Sequence, residues 1–147
     1  MRYFLLLTAV LVTPALVSAA EGSSTPATYI SADKVTAGFG KGGFLARTDE
    51  YNVQTSRRVK PGNPEVHLKD TEIMYIVNGS ATLVTGGALV DGKTTRPEQM
   101  VGTSVNGGTS QKISKGDVIV VPAGTPHWFQ EVNGTVDYYT VKVHSSK

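Results

Sequence analysis

Residues 116–131 read GDVIVVPAGTPHWFQE, a pattern typical of two β-strands joined by a tight turn. Gly116 precedes a short apolar run, and a Pro-Ala-Gly turn at residues 122–124 changes the direction of the chain before His127. In the second strand, alternation places His127, Phe129 and Glu131 on one face. The stretch therefore predicts a histidine at the start of a strand, with an aromatic ring and a carboxylate on the same side.

The same alternation of short apolar runs and turn residues continues on both sides of this stretch. The chain has 16 glycines, and its Asn-Gly and Asp-Gly pairs tolerate the positive φ angles of tight hairpin turns. Regular turn spacing without a convincing amphipathic helix predicts an all-β sandwich or closed barrel. We predict strands at residues 44–47, 51–59, 65–69, 73–77, 81–85, 112–114, 117–121, 128–132 and 137–143.

Residues 88–108 interrupt this alternation with a long, turn-rich segment. Long loops in compact domains are often functional lids or specificity loops. Two interpretations are open for this one: a loop that closes over a site, or a surface insertion without a role.

Residues 65–69 read EVHLK and predict a strand whose polar residues share one face. Alternation places Glu65, His67 and Lys69 on that face, opposite Val66 and Leu68. A polar stripe that faces solvent gives the same pattern, so this run alone does not define a site.

Together, these two regions resemble the motifs of the cupin family. From Gly116 to His127 the spacing is Gly-x5-Pro-x-Gly-x2-His, and Glu72 is followed by six residues and then Gly79. The resemblance spans residues 62–131. It implies a single-domain jelly-roll β-barrel with one metal ion held by His67, Glu72 and His127.

Two departures from the family pattern concern the surroundings of that metal. The family usually has an Asn where this chain has Glu131, and its metal site usually begins with a His-x-His pair, of which one His is missing here. If His67 is the second member of the pair, Glu65 occupies the empty slot; if it is the first, Lys69 does. We prefer Glu65, because a carboxylate can replace an imidazole as a ligand whereas a protonated lysine offers no lone pair.

The expected ligands and their neighbours leave several roles open. Two imidazoles with one or two carboxylates suit one divalent transition metal, Mn, Fe or Zn. The alternative is a barrel without metal, in which His67 and Glu72 are merely hydrogen-bonded. Phe129 is the predicted pocket wall, and Lys69 and Glu131 are further pocket candidates, either as acid–base groups or as an ion pair at the barrel mouth.

The first 20 residues have the order of a secretory signal peptide. Arg2 precedes an apolar run at residues 3–16, and small residues follow up to Ala19 and Ala20. The run is shorter than the roughly 20 residues of a membrane-spanning helix, which argues against an anchor. We expect cleavage after Ala19 or Ala20, a flexible leader at residues 21–28, a barrel domain at 29–147 and a secreted or periplasmic protein with no membrane span.

Composition narrows the function classes further. The chain has no cysteine, which excludes a disulfide framework. Its formal net charge is only +2 and its basic residues form no block, so a nucleic-acid surface is not expected. The part after the predicted signal peptide suffices for one domain and is too short for two.

The resemblance implies a range of functions rather than one. Such metal sites occur in dioxygenases, isomerases and oxalate-degrading enzymes, and a fold does not determine a function. Our leading hypothesis is an exported metal-binding cupin that binds a small polar, oxygen-rich molecule; if it is an enzyme, it is an oxygenase or isomerase. The alternative is a non-catalytic ligand-binding or sensor protein of the cell envelope. A homodimer is expected by analogy, because cupins commonly pair through their sheets.

Overall fold

The turn-rich sequence folds mainly into β-strands in a computed structural model, which describes residues 26–145. The predicted signal peptide and most of the predicted leader lie outside the described residues. In chain order the elements are α1 (Ala32–Lys41), β1 (Gly43–Arg47), β2 (Tyr51–Arg58), β3 (Glu65–His67), β4 (Asp70–Thr85), β5 (Ala88–Val90), β6 (Lys93–Arg96), β7 (Gln99–Val101), β8 (Ser104–Asn106), β9 (Thr109–Ser114), β10 (Val118–Val121) and β11 (His127–His144).

The barrel is organised around its two long strands, β4 and β11. They pair antiparallel from His127 opposite Thr85 to His144 opposite Asp70. Strands β9 and β10 pair with β4, β2 pairs with β11, and β1 pairs with β2. Strand β3 joins β11 to β7, and β7 pairs with β6. This curled sheet confirms the predicted all-β jelly-roll barrel.

Two Asn-Gly pairs that predicted hairpin turns lie inside the long strands, so the prediction of separate strands there was wrong. Residues 73–77 and 81–85 belong to β4, and residues 128–132 and 137–143 belong to β11. Gly79 has a φ of +80°, and a Cβ at this position would lie 1.9 Å from the carbonyl oxygen of Thr135. The opposite strand is irregular there, with register shifts between Asn133 and Asp137. The glycine therefore permits two continuous backbones to approach closely.

The interior of the barrel is apolar in one part and polar in another. Along β4, Met74 and Ile76 are buried while Ile73 and Tyr75 are exposed, as the alternation of a strand requires. The inward face continues to Glu72, which is buried although it is charged. The apolar cluster comprises Met74, Ile76, Ala81, Leu83, Ile113, Val121, Phe129, Val136 and Tyr138.

Helix α1 was not predicted from the sequence. Ser31 caps it by accepting a hydrogen bond from the Lys34 N–H, and Gly42 ends it with a φ of +67°. Of its residues only Phe39 is buried, against Tyr139 at 5.5 Å between ring centroids. Ala32, Val35 and Phe39 follow helical spacing, but Gly38 and Gly40 disfavour a helix, so the sequence prediction missed this short amphipathic pattern. Within residues 26–145, no helix has the length and apolar character needed to cross a membrane.

The segment at residues 88–108 forms strands and not the long loop that we expected. Strands β5 and β8 make a separate two-stranded sheet, while β6 and β7 extend the main sheet beside β3. In this pairing Gln99 lies opposite His67. The segment is therefore built into the barrel next to one of the predicted ligands.

Candidate metal centre

Three strands bring the four predicted ligands together. Strand β3 carries Glu65 and His67, Glu72 lies near the start of β4, and His127 is the first residue of β11. Glu65 and His127 are register partners. Gly124 donates its N–H to the carbonyl oxygen of His67 at 2.7 Å, which fastens the turn before β11 to β3. Two motifs far apart in sequence thus meet at one place.

The carboxylate of Glu72 lies between the two imidazoles. Its Oε1 is 3.2 Å from Nε2 of His67, and its Oε2 is 3.1 Å from Nε2 of His127. Glu65 lies 3.7 Å from each of these nitrogens. Both histidines and Glu72 are buried, whereas Glu65 is partly exposed. One ligand atom each from Glu65, His67 and His127 all lie within 4.8 Å of one another.

The nitrogen Nε2 of His127 shows that these residues fit a metal ion. It is buried and has no hydrogen-bond partner among the described residues, although Glu72 is only 3.1 Å away. The other ring nitrogen lies 3.2 Å from the carbonyl oxygen of Thr125, an arrangement that orients metal-binding histidines. Ligands about 2.1 Å from a common ion and at right angles are roughly 3 Å apart. Each oxygen of Glu72 lies near this distance from one of the imidazoles, Oε1 at 3.2 Å from His67 and Oε2 at 3.1 Å from His127, which are also the lengths of hydrogen bonds.

Burial and facing charges act in opposite directions on the pKa values of the site. Burial favours the protonated carboxyl of Glu72, but His127, His67 and Lys142 outweigh it and hold the pKa well below its usual range. Burial acts in the same way on Glu65, and the two histidines lower its pKa too. For His127, burial favours the neutral ring, yet the two carboxylates raise its pKa to about 9. A metal ion must therefore replace a proton on His127.

Lys142 is a site residue that the sequence analysis missed. It lies on β11, is 8% exposed, and places its Nζ 2.7 Å from Oε1 of Glu72 and 2.9 Å from Nε2 of His67. A signal existed, because alternation in the predicted strand at residues 137–143 puts Tyr138, Thr140 and Lys142 on one face. A polar face of this kind points to solvent as often as to a barrel interior, so the pattern alone did not identify it.

Residues of the 88–108 segment hold Glu65 in place. Gln99 is buried on β7, and its amide donates a hydrogen bond to Oε2 of Glu65 at 2.9 Å. Arg96 on β6 donates to the side-chain oxygen of Gln99. Arg58 on β2 approaches Glu65 from elsewhere, with 3.7 Å between nitrogen and oxygen. No motif marked these three residues, because only the pairing of β3 with β7 and the curl of the sheet bring them to the site.

An interior cavity of about 130 Å³ lies beside the cluster. Glu65, Glu72 and His127 line it together with Arg58 and Lys142. The surface of the cavity is therefore mainly charged or hydrogen-bonding.

Phe129, the predicted pocket wall, lines this cavity. Its ring stacks on Tyr138 with 5.0 Å between centroids, and the guanidinium carbon of Arg58 lies 4.7 Å above it. The Nε of Arg58 also donates to the Tyr138 hydroxyl at 2.9 Å. These three side chains form one packed wall.

Lys69 lies away from the cavity. Strand β3 ends at His67, so the alternation that placed Lys69 on the inward face does not extend to it. Its side chain is half exposed and pairs with Glu98 at 2.7 Å. The structure therefore brings Glu65, and not Lys69, beside the histidines.

Glu131 also lies away from the cavity. The register between β11 and β4 shifts between Phe129 and Glu131, and such a bulge interrupts alternation. The carboxylate of Glu131 is exposed and accepts a hydrogen bond from Thr82 at 2.9 Å. Its shared face with His127, expected from alternation, is lost at the bulge.

Comparisons with known proteins agree with this architecture. A protein of Bacillus halodurans superimposes with a TM-score of 0.58 at 14% identity, over 84% of this chain and 86% of that one. Hydroquinone 1,2-dioxygenase from a Sphingomonas species, solved with 4-hydroxybenzoate bound, gives 0.54 at 10% identity, over 71% and 66%. The cupin domain of Cnp3 from Schizosaccharomyces pombe gives 0.53 at 11% identity, over 71% and 61%. These likenesses show the fold alone.

Sequence comparison adds the family. No curated protein matches the chain significantly. The family model described as Cupin matches residues 56–146, which include the four predicted ligands and every strand from β3 to β11. The motif spacing, the curled sheet and this match agree, and the chain belongs to the cupin family.

Proposed function

We propose that this protein is an exported metal-binding cupin that binds a small polar, oxygen-rich molecule at a mononuclear metal centre. One observation carries the proposal: the ring nitrogens of His67 and His127 converge with the carboxylates of Glu65 and Glu72 inside the barrel. Imidazoles and carboxylates in this number suit Mn, Fe or Zn, and such sites keep positions open for a further ligand.

The cavity beside the proposed centre supports a small ligand that carries oxygen atoms. Its volume of about 130 Å³ is well below the roughly 300–1,000 Å³ of pockets for drug-sized molecules. Arg58 and Lys142 present N–H donors to it, and carboxylate or phenolate oxygens complement such donors. The dioxygenase that resembles this chain in fold was solved with 4-hydroxybenzoate, a molecule with oxygens of this kind.

The chain's own residues have distinct roles in this proposal. A bound divalent ion supplies Lewis acidity toward the oxygens of the ligand. Glu65 and Glu72 offset the charge of the ion, Arg58 binds an anionic group of the ligand, and Phe129 closes one side of the cavity to water. If the ligand is converted, the reaction is of the metal-dependent oxygenase or isomerase kind.

Export and self-association belong to the same proposal. The order of charged, apolar and small residues in positions 1–20 supports cleavage near Ala20 and a secreted or periplasmic location. Exposed apolar side chains on β4 and β10 support a homodimer: Tyr75, Val118 and Val120 are 44%, 60% and 58% exposed. Apolar surface of this kind is typical of an interface. Light scattering on the wild type and on Val120→Glu tests the dimer, which the substitution is expected to dissociate.

Metal-dependent ligand binding tests the central part of the proposal. A thermal-shift screen of small carboxylates and phenols is run on metal-loaded wild type, on chelated wild type and on His127→Ala. We expect ligand-dependent stabilisation of the metal-loaded wild type alone. Equal stabilisation of all three samples contradicts a metal-centred site and favours a ligand-binding module that uses no metal.

A further inference from the structure

Lys142 places a cation of the protein itself among the candidate ligands. Its Nζ lies 2.7 Å from Oε1 of Glu72 and 2.9 Å from Nε2 of His67, and the side chain is buried. Buried lysines are rare unless a partner offsets their charge. Here Glu72 is that partner, and it also bridges the two imidazoles.

The contact with His67 makes Lys142 a competitor of any metal ion. A lysine ammonium has three donors and no acceptor. Its Nζ lies 2.9 Å from Nε2 and 3.5 Å from Nδ1 of His67, which places it over the face of the ring. A metal ion would bind the lone pair of Nε2, which lies in the plane of the ring. Lys142 therefore holds a positive charge beside the nitrogen through which His67 would bind a metal, and it already occupies Oε1 of Glu72.

We propose that Lys142 is the resident cation of the metal-free site and that a metal ion binds by displacing it from Glu72 and His67. This inference rests on the proposed metal-binding function and adds what controls it. In the metal-free protein, Lys142 offsets the buried charge of Glu72. On loading, the same side chain opposes the metal, so its displacement determines which ions bind and how tightly.

The space around Lys142 permits this displacement. The residue borders the interior cavity of about 130 Å³ and also an outer cavity of about 290 Å³. Arg96 lines both cavities as well. A long, unbranched side chain reaches either cavity by rotation about its own bonds. The backbone of β11 stays in place during this rotation, because strand pairing holds it on both sides at Lys142, opposite Glu72 on β4 and Asn52 on β2.

The requirement for displacement also selects among ions. Mg²⁺ and Ca²⁺ prefer oxygen ligands and gain little from an imidazole. Mn²⁺, Fe²⁺ and Zn²⁺ bind imidazole more strongly, so these ions gain more from His67 to offset the displacement of the ammonium from Glu72.

Metal titration of Lys142→Leu tests the inference, because leucine provides neither a charge nor a ligand atom. Binding of Mn²⁺ and of Zn²⁺ to chelator-stripped protein is measured by calorimetry at one pH, together with the melting temperature of the metal-free form. Lys112→Leu is the matched control, since Lys112 is exposed on β9 and its loss changes the net charge equally. We expect Lys142→Leu to bind the preferred ion about ten-fold more tightly or better, and to melt at a lower temperature without metal. The control should match the wild type in both measurements.

Each outcome bears on the two proposals differently. Equal or weaker binding by Lys142→Leu overturns the role of Lys142 and leaves the metal site standing. Binding by Lys142→Leu but not by the wild type supports the role of Lys142 and overturns metal binding as the function of the native chain. Absence of binding in both proteins overturns both proposals.

A measurement on the wild type alone covers the case in which Lys142→Leu does not fold. Acetylation of lysines is followed by mass spectrometry with and without a saturating amount of the bound ion. Lys142 should be modified faster in the loaded protein, while Lys112 reacts at the same rate in both. An unchanged rate at Lys142 overturns the displacement.

Discussion

The carboxylate of Glu72 lies 3.1 Å from Nε2 of His127, yet that nitrogen has no hydrogen-bond partner among the described residues. A nitrogen and an oxygen so placed form an ion pair while the ring is protonated, and they are placed to act as two ligands of one ion where a metal replaces that proton. Because Nε2 makes no well-directed hydrogen bond among the described residues, we interpret the pair as candidate metal ligands.

Replacing His127 should abolish metal binding. We expect His127→Ala to bind Mn²⁺ or Zn²⁺ at least about a hundred-fold more weakly, because the ring supplies a direct ligand. His144→Ala is the matched control, since His144 lies on the same strand but pairs with Asp70 at 2.7 Å. Calorimetric titration of both variants checks this; a similar loss in His144→Ala would contradict the assignment.

The raised pKa of His127 predicts opposite pH dependences for folding and for metal binding. The ordinary pKa of histidine is about 6.5, and the folded protein raises it to about 9. The protonated ring therefore contributes fully to stability below about pH 6.5, and this contribution is lost as the pH rises through about 9. Metal affinity should increase across the same interval, because the ion replaces that proton.

Denaturant unfolding of the metal-free protein at pH 6, 7.5 and 9.5 measures the first effect. The free energy of unfolding of the wild type should fall with pH more steeply than that of His127→Gln. Parallel curves for the two proteins would show that His127 does not titrate as inferred.

Removing the amide of Gln99 should weaken the metal site without removing a ligand. Gln99 donates to Glu65 at 2.9 Å, and loss of a group that orients a ligand typically lowers metal affinity by about 10- to 100-fold. We expect this loss in Gln99→Leu but not in Gln111→Leu, which replaces an exposed glutamine on β9. Competition with a chromogenic chelator gives both affinities, and equal values would exclude the role of Gln99.

Alanine at Gly79 should destabilise the barrel far more than alanine at Gly134. Both glycines have positive φ angles, but only at Gly79 would a Cβ meet backbone, 1.9 Å from the Thr135 oxygen. We expect a loss of at least about 3 kcal/mol in the free energy of unfolding for Gly79→Ala and about 1 kcal/mol for Gly134→Ala. Chemical denaturation measures both, and equal losses would mean that the strands do not approach closely at this point.

The sequence predicted the fold correctly where glycine, proline and short apolar runs specify a strand or a turn locally. The segment from Gly116 to His127 forms the predicted strand, turn and strand. The Asn-Gly pairs misled the strand prediction, because a glycine with positive φ serves a close approach inside a long strand as well as a hairpin turn. Helix α1 was missed because its apolar residues are few and its two glycines, Gly38 and Gly40, disfavour a helix.

The site was predictable only in the residues that motifs mark. His67, Glu72 and His127 were named from spacing, and Glu65 from the chemistry of the empty slot. Lys142 was not, because it reaches the cluster through the pairing of β11 with β4. Alternation predicted that Glu131 lies in the pocket. A β-bulge breaks the alternation at this point, and no residue type in the stretch indicates the bulge.

Metal content measured by mass spectrometry on purified protein tests the proposed centre most directly. After growth with added Mn, Fe and Zn, we expect about one divalent transition-metal ion per chain in the wild type and almost none in His127→Ala. Less than about a tenth of an ion per wild-type chain, or equal occupancy in the two proteins, would contradict a metal centre at His67, Glu72 and His127.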